Sequence, residues 1–273
     1  NIKTVGKKTF ARETTRKSII AKSNSMKFAI LAAGEGSRLA NEGSFTPKPL
    51  TKINGEAMID RLLGIFSRNG ADEIIVIVNK LTGLVRQHLI ANYNTILEDG
   101  SSNTCRRKPL IDTPVRLVSK TTKSSMHSFF EISGFLKDGK FCLTTVDTIF
   151  RENEFAEYIK AFKESPDDGL MAVTPFVDDE KPLYVATDEN MNITAFNDEN
   201  LNDKYVSGGI YSLTPKALQT LESCIEKGMS RMRNFQRQMI ADGLKLKAYS
   251  FGKIIDVDHI DDVAKAEQFI NEK

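Results

Sequence analysis

Cysteine is scarce. The 273 residues hold three, Cys105, Cys142 and Cys224, far apart and without CxxC spacing. That argues against a disulfide framework or a thiolate zinc site, and it predicts a cytoplasmic protein in a reducing compartment. No run approaches the roughly 18 to 20 apolar residues that a membrane-crossing helix needs, so no membrane partner is expected. No internal repeat is visible, and no Ser-His-Asp or Cys-His set stands out among the three histidines. An excess of one charge is missing too. The net charge is +2, but residues 1 to 25 carry seven Lys/Arg against one acid, Glu13, which leaves the remainder at −4. Basic residues do not cluster beyond that tail, so nucleic acid is not an expected partner.

What is present is ordinary for a globular chain: 40% apolar and 27% charged residues. Residues 1–25 read as a basic, flexible extension, and 26–273 as one domain. From Met26 onward, apolar runs alternate with helical periodicity. Strands are expected at 27–33, 73–78, 115–119, 141–147 and 169–176, with helices near 57–69, 81–92, 125–136 and 152–163. The β-branched run "EIIVIV" suits a strand covered on both faces. Segment 98–114 reads as a polar surface loop. Strand–helix alternation predicts an α/β fold with a doubly wound, mostly parallel, Rossmann-like sheet. Short strands at 183–188, 191–196 and 205–213 predict a small antiparallel flap. Helices near 215–227 and 230–242, strands at 244–250 and 253–257 and a helix at 261–271 complete the chain.

The first strand, Phe28 to Ala33, ends in Gly34 and Gly36, followed by Arg38 and then Pro47-Lys48-Pro49. A strand that breaks into glycine turns invites phosphates, because backbone N–H groups point outward and no Cβ blocks approach. The P-loop pattern GxxxxGKS/T is absent, and GxGxxG fails at Leu39, where a third glycine belongs. Arg38 and Lys48 would neutralise phosphate from two sides, with two prolines stiffening the lysine.

The stretch "LAAGEGSRL…PKPL…NGEAMIDRLL", Leu31 to Leu63, resembles the sugar nucleotidyltransferases, whose pattern is LAAGxGxR, a variable loop, PKP, a short strand with glycine and a helix. The resemblance implies nucleotide contacts along Leu31, Ala32, Ala33, Gly34, Glu35, Gly36 and Ser37. It also implies catalytic roles for Arg38 and Lys48. A further nucleotide contact is expected where "KTTKSSMHS" opens a helix, at Thr122, Ser124 and Ser125. An ordinary helix cap is the competing reading there.

A triphosphate brings about four negative charges, which calls for Mg²⁺ held by one or two carboxylates. Asp147 closes "FCLTTVD". Asp256 and Asp258 are spaced i, i+2, so on a strand they face one side. Taken alone, Asp147 reads as a turn or cap, and Asp256 and Asp258 as a solvated strand end before a helix begun by Asp261 or Asp262. The resemblance makes Asp147, Asp256 and Asp258 metal ligands, although Val146 stands where relatives have a small residue. His88 and His127 read as helix-surface residues.

"YVSGGIYSL" resembles the family's sugar-side segment and makes Ser207, Gly208 and Gly209 candidates for sugar contact. A bulge in a buried strand is the alternative. The Glu-Lys-Pro expected just before it is replaced by "AFNDENLNDK", with Lys204 as a substitute. The implied reaction joins a nucleoside triphosphate to a sugar 1-phosphate, with Mg²⁺ as cofactor, and releases pyrophosphate. It would supply activated sugars for polysaccharide synthesis. A cytidylyltransferase acting on phosphocholine or a similar alcohol phosphate is the alternative within that chemistry. A non-catalytic nucleotide or sugar-phosphate sensor is the alternative outside it. Homo-oligomerisation is left open.

Overall fold

The computed structural model describes residues 26–34, 36–178 and 180–272. The basic extension at 1–25 and the expected contact Glu35 lie outside these residues. In chain order the elements are β1 (Lys27–Ala32), α1 (Ser37–Asn41), β2 (Lys52–Ile53), β3 (Glu56–Ala57), α2 (Met58–Arg68), β4 (Glu73–Val78), α3 (Gly83–Asn92), β5 (Thr95–Ile96), β6 (Ser102–Asn103), β7 (Val115–Ser119) and α4 (Ser125–Ile132). There follow β8 (Phe141–Thr145), β9 (Thr148–Ile149), α5 (Glu152–Glu164), β10 (Gly169–Thr174), β11 (Tyr184–Thr187), β12 (Ile193–Asn197) and β13 (Tyr205–Leu213). The remainder is α6 (Lys216–Glu226), α7 (Met232–Ala241), β14 (Leu246–Ser250), β15 (Ile255–Asp256) and α8 (Ile260–Asn271).

β1 organises the fold. Every residue from Phe28 to Ala33 is buried. The period-2 alternation of a strand sends Phe28, Ile30 and Ala32 to one layer and Ala29, Leu31 and Ala33 to the other. The first layer is covered by α2, α3 and α5. There Phe28 packs against Phe66 with ring centroids 4.9 Å apart, and Phe66 stacks on Phe155 at 5.4 Å. Each such ring contributes roughly 1.5–3 kcal/mol by leaving water. The second layer is covered by α4, α6 and α7 through Phe129, Leu221, Phe235 and Met239.

The main sheet runs β12-β11-β13-β8-β1-β4-β7-β5-β6, with β10 pairing β13 and β14. β8, β1, β4 and β7 are parallel. β11 pairs antiparallel with both β12 and β13, and the three form the flap. β4 and β8 flank β1, so the chain leaves β1 on one side and later returns on the other. That reversal opens a crevice at the carboxyl ends of β1 and β8, where ligands bind in such sheets. Leu31 pairs with Thr145 at that edge.

Three local differences from expectation have physical causes. Segment 98–114 is not wholly loop. A β5–β6 hairpin forms, and Cys105 is buried with its Sγ–H donated to the Ala91 carbonyl at 3.0 Å. A one-turn helix, α1, follows Gly36, too short for periodicity to register. The strand at 141–147 ends at Thr145, because Val146, whose N–H makes a last bond to the Leu31 carbonyl at 3.1 Å, and Asp147 form the turn into β9. Among the described residues no helix is long and apolar enough to cross a membrane.

Candidate active site

The crevice is built from the loop after β1 outward. Gly36 adopts φ 62°, a left-handed conformation that favours glycine. Directly over it, Lys48 sits in a 3-10 turn, Lys48–Leu50, entered from Pro47 and stiffened by Pro49. The turn aims the Lys48 ammonium inward. Its Nζ lies 2.5 Å from Asp147 Oδ2 and 2.5 Å from Asp258 Oδ1. Only 12% of the lysine side chain and 20% of Asp147 remain exposed. Burial works to lower the Lys48 pKa, but Asp147 and then Asp258 outweigh it and hold the ammonium above the usual lysine value. Burial likewise opposes ionisation of Asp147, and Lys48, with help from Thr145, still holds its carboxyl below the ordinary range. The site is a charged pair kept ionised at little solvent exposure.

Asp147 occupies the tight connection between β8 and β9. Its carbonyl accepts the Val257 N–H at 3.1 Å, and on the adjoining strand pair Asp256 lies opposite Thr148. Ile255 and Val257 are buried at 2% and 0% exposure, so Asp256 and Asp258 share the open face that their spacing predicts. Arg38 pairs with Asp258 at 2.5 Å and approaches Glu180 at 3.7 Å. Asp262 accepts the Asp258 and His259 N–H groups and caps α8. Glu42, just past α1, accepts the Ile260 N–H at 2.7 Å and meets His259 Nδ1 at 2.5 Å. The early loop and the late segment are thus laced together.

Three cavities meet here. One, of about 490 Å³, is lined by Leu31, Ala32, Ala33, Gly34, Ser37, Lys48, Thr122, Ser124, Ser125 and Asp147, which the sequence suggested, and by Pro49, Lys123, Ser128, Thr145 and Val146, which it did not. A second, of about 310 Å³, shares Ser125, Thr145 and Asp147 with the first and adds Asp256, Asp258, Ser207 and Gly209. The third, of about 370 Å³, lies beyond Asp256 and Asp258 and contains Arg38 and Gly208.

Gly36 supports Lys48 from behind and does not line the first cavity. Arg38 faces away from that cavity. Gly208 packs tightly: a Cβ there would displace the end of the Ile254 side chain and come 3.2 Å from the Ala172 carbonyl. Gly209, at φ 73°, borders the second cavity. Ser207 also borders it and donates to Gln236 Oε1 at 3.2 Å. Lys204 does not line any of these cavities. Its ammonium lies 5.1 Å from the Tyr205 ring centre.

Several site residues escaped the sequence. Lys181, from Glu180-Lys181-Pro182 ahead of β11, lines the second cavity together with Arg231 and Arg233. This Glu-Lys-Pro stands one hairpin ahead of the place where the motif was expected, and the segment just before β13 still reads AFNDENLNDK. Asn79, 3% exposed, donates to the Ala33 carbonyl at 3.1 Å and accepts from Leu81 N–H and the Thr121 hydroxyl. It ties the end of β4 to the loop. Its signal was a buried-strand run ending in an amide. His88 bonds Asp60 at 2.7 Å, and His127 bonds Ser124 Oγ at 2.9 Å.

The carboxylates of Asp147, Asp256 and Asp258 are hard oxygen donors around one cavity, the set Mg²⁺ takes when phosphates and water complete its shell. Lys48, held between two of them, shows that cationic charge is stable at this point. Among the described residues no cluster of three or more His, Cys, Asp or Glu forms a ready metal cage.

A model of the family described as nucleotidyl transferase matches residues 27–273. A probable glucose-1-phosphate cytidylyltransferase of Bacillus subtilis is 21% identical over 201 residues, covering 72% of this chain and 78% of that protein. The inositol-1-phosphate CTP transferase of T. maritima superposes with a TM-score of 0.71 at 20% identity, covering 91% of this chain and 97% of that one. The CTP:phosphocholine cytidylyltransferase of Streptococcus pneumoniae gives 0.65 at 16% identity, with 90% and 100% covered.

Proposed function

Since the chain belongs to the nucleotidyl transferase family, we propose that this enzyme joins a nucleoside triphosphate to a sugar 1-phosphate, with Mg²⁺, and releases pyrophosphate. One observation carries the proposal: Lys48 Nζ, on the glycine–proline loop, sits 2.5 Å from both Asp147 and Asp258, contributed by two distant segments. Cation and carboxylates converge beside a cavity edged by backbone and hydroxyl groups, which suits a triphosphate.

An oxygen of the acceptor's phosphate attacks the α-phosphorus. The new O–P bond forms as the bond to the bridging α,β-oxygen breaks, and that oxygen takes the electron pair away with pyrophosphate. The nucleophile is already ionised at neutral pH, so no general base is required. Catalysis then rests on alignment and charge neutralisation. Lys48 holds the α-phosphate against the incoming phosphate. Arg38 turns from Asp258 and Glu180 to the β,γ-phosphates. Ser124, Ser125 and Thr122 present hydroxyls toward the base end of the first cavity. Asp147 and Asp256, with Asp258, would hold Mg²⁺. When bound, it supplies Lewis-acid stabilisation and a template for the phosphates.

The relatives named above are called cytidylyl- or CTP transferases, which puts CTP first among triphosphates to test. The purified protein is incubated with Mg²⁺, each common triphosphate and a panel of phosphorylated sugars and alcohols, and pyrophosphate is measured. Release with a sugar 1-phosphate supports the proposal. Release with phosphocholine alone replaces the acceptor class, and binding without release replaces the enzyme by a sensor.

A further inference from the structure

The second cavity adjoins the first across Asp147, whereas the third shares no lining residue with the first. An acceptor poised to attack the α-phosphorus therefore belongs in the second cavity. This inference rests on the nucleotidyl transfer proposed above.

The wall that faces Asp147 and Asp256 is cationic. Lys181, Arg231 and Arg233 all line it. Arg233 shares Asp198 with Arg237, at 2.6 and 2.7 Å, so one carboxylate serves two guanidiniums and positive charge is left over. Arg231 is the conspicuous member. It is exposed, and among the described residues its guanidinium has no acidic partner or hydrogen bond. Its backbone is strained, at φ 70° and ψ 138°, on a residue that is not glycine. The strained N–H points at Ser124 Oγ, 3.4 Å away, on the loop that edges the nucleotide cavity. Strain of this kind persists where surroundings over-determine it, and it clusters at ligand sites.

Two of the three facing carboxylates offer a cationic acceptor little. Asp147 is paired with Lys48, and Asp258 with Lys48 and Arg38. Quaternary ammonium groups are also held on aromatic faces. Here Tyr211 is the one aromatic residue on the cavity wall among the described residues, and it is 5% exposed. In contrast, Ser207 and Gln236 offer a hydroxyl and an amide suited to reading hydroxyl groups.

We propose that Arg231, with Lys181 and Arg233, makes the acceptor cavity a charge filter. It admits phosphate esters of uncharged, hydroxyl-rich compounds, sugars and polyols alike, and turns away esters that carry an ammonium group. Arg231 is the specificity-determining residue, and it works by repulsion as much as by attraction.

The test is pyrophosphate release with Mg²⁺ and the preferred triphosphate, comparing kcat/KM for glucose 1-phosphate and inositol 1-phosphate with that for phosphocholine and phosphoethanolamine. The wild type should prefer the uncharged class by about 100-fold, the scale of a like-charge penalty of several kcal/mol. Arg231→Gly keeps the backbone comfortable at φ 70° and removes only the side chain, so it should fold. The preference should then fall about tenfold or more, while Arg231→Lys, which keeps the charge, should retain most of it. Equal use of phosphocholine by the wild type, or an unchanged ratio in Arg231→Gly, overturns the filter and leaves nucleotidyl transfer standing. No release with any acceptor overturns the proposed reaction, and the filter falls with it.

Discussion

Gly36 lies directly beneath Lys48: a Cβ built on Gly36 would stand 2.8 Å from Lys48 Cβ. The glycine is thus required twice, by its left-handed backbone and by the side chain above it. Gly36→Ala is expected to cost about 1–2 kcal/mol of stability through the backbone alone. It should also push the Lys48 ammonium away from Asp147. Urea unfolding together with kcat/KM for the triphosphate checks this. A stability loss with unchanged kinetics would reduce Gly36 to a turn residue.

Lys48→Met leaves Asp147 and Asp258 facing one another without their shared cation. Removing one partner of a buried charge cluster costs about 3 kcal/mol, and turnover should vanish as well. Asp147→Asn, nearly the same shape, should abolish turnover while the protein still unfolds cooperatively in urea. Near-normal turnover in Asp147→Asn would remove that carboxylate from the reaction.

Mg²⁺ withdrawal is the third test. Chelation by EDTA should stop pyrophosphate release, and added Mg²⁺ should restore it. Asp256→Asn should shift the Mg²⁺ concentration for half-maximal rate upward by about tenfold, the lower end of what losing a charged contact costs. A variant with an unaltered Mg²⁺ titration would show that Asp256 is not a ligand.

The fourth concerns pH and lies away from the site. Asp168, 9% exposed, accepts from Lys216 Nζ at 2.8 Å and the Lys245 N–H at 3.0 Å. Burial opposes its ionisation, yet these partners hold its pKa below the usual aspartate value. Its folded-state pKa is the lower one, so the stabilisation is complete above the unfolded-state pKa and is lost as pH falls through the folded one. Urea midpoints should therefore be level at neutral pH and decline below about pH 4. Asp168→Asn should flatten part of that decline. An identical acid limb in the variant would count against the assignment.

Much of this was readable from local pattern. The period-2 alternation of β1, the glycine break after it and the i, i+2 spacing of Asp256 and Asp258 are properties of a few adjacent residues, and each appears in the structure where it was expected. Lys181, Arg231 and Arg233 were not readable, because they meet only after the flap and α7 fold over the same cavity. Gly208 and Gly209 look alike in sequence. Their surroundings separate them: Gly208 packs against Ile254 and edges the third cavity, whereas Gly209, over Thr148, edges the second. Arg38 was read as a charge for phosphate; its direction in the structure depends on Asp258 and Glu180, which lie 220 and 142 positions further along the chain.

The tie between Asp147 and Val257 bears on the order of events during synthesis. Loop, lysine and first carboxylate emerge early from the ribosome, while Asp256 and Asp258 emerge among the last residues described. A partly made chain with its central sheet already formed would carry Lys48 beside Asp147 but lack the two acids that finish the pocket. The pocket wall is therefore completed in one late docking event, when β15 pairs with β9 and α8 settles against Ile53 and Met58.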